Sequence, residues 1–209
     1  VPPARHLRIL VVRHAEPVVA TVDGPAEPLR PLTGRGRRQA EDLAEALCAA
    51  RPHTIVSSPY RRAVDTVQPA AARLGLEVGL LDDLHEWRSG LRPTPRWRDH
   101  YLRCWADPGY ALPGAESHDQ ARARMLAALD GIAARWRPHG GTVVAGTHGT
   151  VISLALAGLG APVDAAFWLG MPMPAVYRFD VGATGSWSGV SGPGLPPDWV
   201  PSGRASGSP

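Results

Sequence analysis

Short apolar runs, each closed by polar residues and most followed by a stretch of helical length, constrain this chain more than any other feature. Leu7-Arg8-Ile9-Leu10-Val11-Val12 reads as a buried strand that ends abruptly in Arg13-His14-Ala15-Glu16. Thr54-Ile55-Val56 reads as a second, ending at Ser57-Ser58-Pro59, and Leu76 to Leu81 as a third. Gly141 to Gly146 is the fourth, closing at Thr147-His148-Gly149, and Ala175 to Val181 the last. Between them, Thr33 caps a helix reaching about Ala50, with Ala40, Leu43, Leu47 and Ala50 on one face. A second helix runs from Tyr60 to Leu74 with Gly75 as its stop, and Pro69 inside it predicts a kink or a break. Ser117 and Gln120 form a capping-box pattern that opens a long helix to about Trp136, and Val151 to Leu159 is an apolar helix. This alternation predicts an α/β chain, a three-layer α/β/α sandwich with a mostly parallel central sheet.

Three stretches escape the pattern. Pro17 to Pro31 is a Pro- and Gly-rich loop. Asp82 to Gly114 mixes Trp87, Trp97, Tyr101, Trp105 and Tyr110 with arginines and prolines in no clear period. From Gly182 the chain turns to Gly, Ser and Pro, which predicts a loosely draped tail over 182–209 beside a single domain over 1–181; the alternative is that Trp187 or Trp199 anchors it.

The 209 residues fit one domain with room for a substantial core, and 44% apolar with 20% charged residues is ordinary for a globular chain. No run of eighteen or more apolar residues occurs, so no membrane span is expected. The first apolar run is too short for a signal-peptide core and is interrupted by Arg13-His14, so a cytoplasmic location is expected. The net charge of +3 invites a nucleic-acid reading. All 22 basic residues are arginine, scattered among acids rather than gathered in a stripe, and nucleic acid is not an expected partner. Cys48 and Cys104 show no metal-like spacing and call for no disulfide.

In a parallel sheet, the strand ends at Arg13-His14, Ser57-Ser58-Pro59 and His148-Gly149 share one edge. Two imidazoles and at least two guanidiniums converge there, beside helix amino termini that add N–H donors and partial positive charge. Such an edge suits a dianionic phosphate. No carboxylate cluster competes for a metal, and neither metal nor cofactor is expected.

The ordered motifs resemble the histidine phosphatase superfamily, which includes phosphoglycerate mutases and many phosphomonoesterases. Arg13-His14-Ala15-Glu16 is similar to its R-H-G/A-E, and Leu32-Thr33 through Gly36 to Gln39-Ala40 to its L-T-x-x-G-x-x-Q-A. Ser57 to Ala63 with Thr66 resembles S-S-P-L-x-R-A-x-x-T, and Leu84-His85-Glu86 resembles L-x-E. Gly114-Ala115-Glu116-Ser117 and Thr147-His148-Gly149 complete the set, which spans Leu7 to Val181.

The resemblance implies a phosphoglycerate mutase-like fold and a set of roles. His14 attacks phosphorus and becomes phosphohistidine. Arg13, Arg62 and His148, with Gly149, hold the phosphoryl oxygens. Glu86 protonates the leaving oxygen, then activates water. Arg62 is preferred to Arg61 because it directly precedes Ala63. Many members carry an asparagine a few residues after the first histidine, where this chain reads Pro17-Val18-Val19-Ala20, so that phosphate contact is absent or supplied elsewhere.

Segment 82–116 is the expected lid, and its shortness favours hydrolysis over mutase-type transfer. Trp87, Trp97, Tyr101 and Trp105 are candidates for packing on a leaving group, and Arg88, Arg92 or Arg98 for meeting extra charge; the same aromatics serve equally to pack the lid. His85, His100, His118 and His139 are expected at the surface. The expected partner is a small phosphorylated metabolite, and the expected state a monomer or homodimer. A non-catalytic phospho-ligand-binding protein on the same scaffold stays open.

Overall fold

Alternation along β1 (Leu7–Arg13) splits the interior in two. Computed as a structural model, the protein is described over residues 6–182 and 184–202. After β1 come α1 (Gly34–Ala49), β2 (Thr54–Ser57), α2 (Arg61–Leu74), β3 (Val78–Leu80), α3 (Trp97–Ala106) and α4 (His118–Trp136). They are followed by β4 (Gly141–Thr147), α5 (Gly149–Gly158), α6 (Ala165–Gly170), β5 (Ala175–Val181) and β6 (Trp187–Ser191). Leu7, Ile9 and Val11 face Met125, Leu126 and Leu129 of α4 and the apolar α5. Leu10 and Val12 face Ala44 and Leu47 of α1 and Val67, Ala70 and Ala71 of α2. The expected three layers are present.

The strand order is β3-β2-β4-β1-β5-β6. The pairs β2–β3, β2–β4 and β1–β4 are parallel, while β5 runs antiparallel to β1 and β6 to β5. The carboxyl ends of β1, β2 and β4 therefore share one edge, with Arg13 level with Thr147 and Ser57 level with Gly146.

The local signals act where the sequence places them. Thr33 accepts a bond from the Gly36 N–H, both halves of the Ser117–Gln120 capping box form, and Gly75 closes α2 in the left-handed conformation at φ 66°. Pro69 does not break α2, which runs unbroken past it because Val67, Ala70 and Ala71 on the same helix are buried against α1 and the sheet. α5 begins at Gly149, two residues before the apolar run, which puts His148 at its N-cap position. Cys48 and Cys104 are free. Among the described residues, no helix is long and apolar enough to cross a membrane.

The tail differs from a loosely draped segment. Trp187–Ser191 adds β6 to the sheet edge, Trp187 and Val190 are buried, and the Trp187 ring meets Phe179 edge-on at 5.6 Å. Beyond it, the Trp199 indole N–H donates to the Gly160 carbonyl at 3.2 Å, and Ser202 binds the Leu159 carbonyl through its backbone N–H and its hydroxyl. Gly, Ser and Pro composition misled because two apolar side chains seat this edge strand without strand periodicity: Trp187 and Val190 are three residues apart, and the register irregularity opposite Asp180 and Val181 puts both on the buried face. Residues 1–5, 183 and 203–209 lie outside the described residues. Trp187→Ala is expected to lower stability by about 3 kcal/mol in denaturant unfolding, the range for emptying a buried tryptophan site. A loss within about 0.5 kcal/mol, as at ordinary surface positions, contradicts the seating of this strand.

Candidate active site

β1 delivers Arg13 and His14 to the shared edge, β4 delivers His148 and Gly149, and β2 turns through Ser57-Ser58-Pro59 into α2, whose second residue is Arg62. Thr66 ties two of these segments together. Its hydroxyl oxygen accepts the Ala15 N–H at 2.9 Å and its O–H donates to the Arg62 carbonyl at 2.7 Å.

His14 is buried, and its Nδ1 lies 2.8 Å from the Ala15 carbonyl oxygen. A carbonyl only accepts, so Nδ1 carries the proton and Nε2 the lone pair. The Arg62 Nε–H donates to that Nε2 at 3.1 Å. Burial first, then the Arg62 charge, with smaller pushes from Arg13 and Arg30, holds the His14 pKa well below the usual imidazole range. The ring is neutral, with its lone pair directed among guanidiniums.

His148 stands edge-on to His14 with ring centroids 5.2 Å apart. Its Nε2 lies 2.8 Å from the Ser58 hydroxyl, and its buried Nδ1 has no hydrogen-bond partner among the described residues. Burial and then Arg62 depress its pKa strongly as well. Arg13 donates through Nη1 to the Met171 and Pro172 carbonyls, while its buried Nε has no hydrogen-bond partner among the described residues. Gly149 lets that guanidinium through: a Cβ there would sit 2.8 Å from Arg13 Nε and 3.0 Å from Cζ. Gly149→Ala is therefore expected to fold normally yet to bind inorganic phosphate about tenfold more weakly, the scale of one charge-assisted hydrogen bond. Wild-type affinity in that variant refutes this packing.

Arg62 is 1% exposed and uses every donor edge: Nε on His14, Nη1 on the Glu27 carbonyl at 2.8 Å, and Nη2 on Glu27 Oε1 at 2.9 Å. Arg61, by contrast, is exposed and pairs with Asp65. Glu86 lies against the amino end of α5. Its Oε1 accepts the Trp87 N–H at 2.9 Å and the Val151 N–H at 3.3 Å, and its Oε2 the Thr150 N–H at 3.4 Å. Burial raises its pKa despite the opposing charges of Arg62 and Arg13 and these N–H bonds. The Glu86 loop is pinned by Arg124, which donates to the Asp83 and His85 carbonyls and pairs with Glu116 at 2.8 Å.

The lid residues divide. Trp87 is buried, donates its indole N–H to the Glu116 carbonyl, and meets His118 edge-on at 4.4 Å, with Trp105 on His118 at 5.0 Å. These two tryptophans fasten the lid to the body. Trp97 is exposed against Tyr101 and Trp168, and Arg88 is exposed beside Asp82. Tyr101 has its pKa pushed up to about 12 by burial and then by the Glu86 charge. His118 and His85 are interior, not surface residues; burial between two indoles takes His118 down to about 4. His100 is half-buried on Trp87, and His139 is exposed.

Sequence reasoning missed Arg30 and Glu27. Both sit in the irregular loop, where no periodicity marks them, and only their spacing of three hints at a pair. Arg30 donates to the Glu27 carboxylate through Nε and Nη2, and to the Val18 carbonyl through Nη1 at 2.8 Å. Ser58, just past the end of β2, supplies the hydroxyl beside His148.

Two neutral imidazoles beside the buried Arg62 and the half-buried Arg13, at the carboxyl edge of a mainly parallel sheet, form an electropositive pocket suited to an anion. The chain belongs to the histidine phosphatase superfamily (branch 1), whose family profile matches residues 9–190. It is 33% identical over 140 residues to a glucosyl-3-phosphoglycerate phosphatase of Mycobacterium tuberculosis. That match covers 66% of this chain and 53% of the relative, so the chain spans about half the length of the curated relatives it matches. Among solved structures it is similar to one described as mycobacterial hydrolase 1, with a TM-score of 0.72, 26% identity, and coverage of 96% of this chain and all of that one. It is also similar to mycobacterial glucosyl-3-phosphoglycerate phosphatase in complex with VO3, with a TM-score of 0.65, 29% identity, and coverage of 84% and 91%.

Proposed function

We propose that this protein hydrolyses phosphomonoesters of small metabolites through a phosphohistidine on His14. The observation that carries this reading is the fixed His14 tautomer: Nδ1–H on the Ala15 carbonyl, lone pair on Nε2 beside Arg62. In the first step His14 Nε2 forms a bond to phosphorus as the ester P–O bond breaks, and Glu86, protonated, gives its proton to the departing oxygen. In the second, water attacks phosphorus, Glu86 takes the water's proton, and the N–P bond breaks to return neutral His14. Arg13, Arg62 and His148 face the charge spread over the phosphoryl oxygens, with the Gly149 end of α5 adding its N-terminal dipole.

Glucosyl-3-phosphoglycerate belongs in the first substrate panel because relatives are named for it. Hydrolysis is favoured over transfer because the lid segment from Trp87 to Gly114 is short. The test is release of inorganic phosphate, with chelator present, from p-nitrophenyl phosphate, glucosyl-3-phosphoglycerate, 3-phosphoglycerate and other small esters. Turnover on at least one supports the reading. Folded protein with none from acid to neutral pH favours a phospho-ligand-binding protein instead.

A further inference from the structure

The Glu27 carboxylate lies inside the arginine cradle, on the donors a phosphate needs. In a guanidinium, Nε–H and one Nη–H are parallel donors on a single edge, the edge that grips two oxygens of an oxyanion. On Arg62, that edge is filled by His14 Nε2 at 3.1 Å and Glu27 Oε1 at 2.9 Å. On Arg30, the corresponding edge is filled by the same carboxylate, Nε to Oε2 at 2.8 Å and Nη2 to Oε1 at 2.7 Å. One carboxylate oxygen thus joins two guanidinium edges, and one of those edges also holds the nucleophile's lone pair. A phosphoryl group whose phosphorus meets Nε2 must put its oxygens there.

Mobility is distributed to match. Arg62 is fixed by burial, and Arg30 keeps a separate bond to the Val18 carbonyl, its side chain only 14% exposed. Glu27 starts a three-residue 3₁₀ turn that contains no buried residue, and its side chain is 46% exposed. The charge of Arg30 already reaches His14, Arg62 and His148. Exchanging the carboxylate for a phosphate dianion leaves both guanidiniums paired.

We infer that Glu27 is a built-in counter-ion occupying the place of a phosphoryl oxygen in the free protein, and that substrate phosphate displaces it, leaving Arg30 as a third phosphate-binding guanidinium. This rests on the pocket being a phosphoryl site, as proposed above. The opposite role for Glu27 is a strut that holds Arg62 in a binding-competent pose, and the two predict opposite signs.

The experiment is calorimetric titration of inorganic phosphate and orthovanadate into the full chain, as wild type, Glu27→Gln, Glu27→Ala and Arg30→Gln, each checked by thermal melting. Both Glu27 variants are expected to bind phosphate about tenfold more tightly, and Arg30→Gln about tenfold more weakly, the scale of one charge-assisted hydrogen bond. Weaker or unchanged binding in the Glu27 variants overturns the displacement. Unchanged binding in Arg30→Gln overturns the third guanidinium. Wild-type protein that binds neither anion overturns the phosphoryl reading along with this one. Binding by wild type without tightening in either Glu27 variant overturns the counter-ion alone.

Discussion

His14→Ala is expected to abolish phosphomonoester turnover, with a loss of about 10⁴-fold or more, as when a covalent nucleophile is removed. The size follows from what no neighbour can replace. His148 is also neutral, but its Nε2 is committed to Ser58 and it lacks the Arg62 contact that sits on His14. The arginines that stabilise the phosphoryl charge would remain, so the variant should still bind phosphate while failing to transfer it. Wild-type enzyme quenched during turnover should carry acid-labile phosphate on His14, detectable by mass spectrometry of the peptide. A fully active alanine variant, or label found only elsewhere, would falsify the covalent route.

Glu86→Gln should have the second largest effect, and one that depends on the leaving group. Glutamine keeps the shape, and its one carbonyl oxygen can still accept the Trp87 and Val151 N–H bonds, but its NH2 group cannot accept from Thr150 and it has no acidic proton to give. For an alkyl phosphate, whose departing oxygen needs that proton, kcat/KM should fall about 10²- to 10⁴-fold. For p-nitrophenyl phosphate, whose leaving group departs as an anion, the same parameter should fall far less. The pH dependence has a definite sign. The first step needs Glu86 protonated, and burial raises its pKa, so kcat/KM holds up to that raised value and declines above it. His14 must be neutral, and its pKa is strongly lowered, so the acid-side loss from this group begins well below the usual imidazole range. In Glu86→Gln the alkaline decline due to Glu86 should vanish, while ionisation of the substrate phosphate contributes alike to both profiles. Equal losses on both esters, with an unchanged profile, rule out proton donation by Glu86.

Much of this site was legible because its chemistry sits at strand ends, which a sequence punctuates clearly. Arg13-His14 and His148-Gly149 each follow an apolar run, and parallel pairing of β1 with β4 brings them together at 5.2 Å between rings. Arg62 is preferred to Arg61 through the resemblance, whose matching arginine directly precedes an alanine, and in the structure Arg62 is buried against His14 while Arg61 is exposed. The lid was harder. Five aromatics looked equivalent by composition, yet Trp87 and Trp105 turn onto His118 while Trp97 stays exposed.

The strand–helix alternation, the capping residues and the Arg13-His14 strand end can be read from the chain alone, because these depend on neighbours one to four residues apart. Long-range packing alone shows that Trp187 belongs to the sheet, that His118 is interior, and that Glu27 and Arg30 join the arginine cradle. Each of those depends on a partner from a distant segment: Phe179 across an edge strand, two indoles from the lid, and Arg62 from another helix. Chain closure fixes such pairings, and neither periodicity nor spacing encodes them.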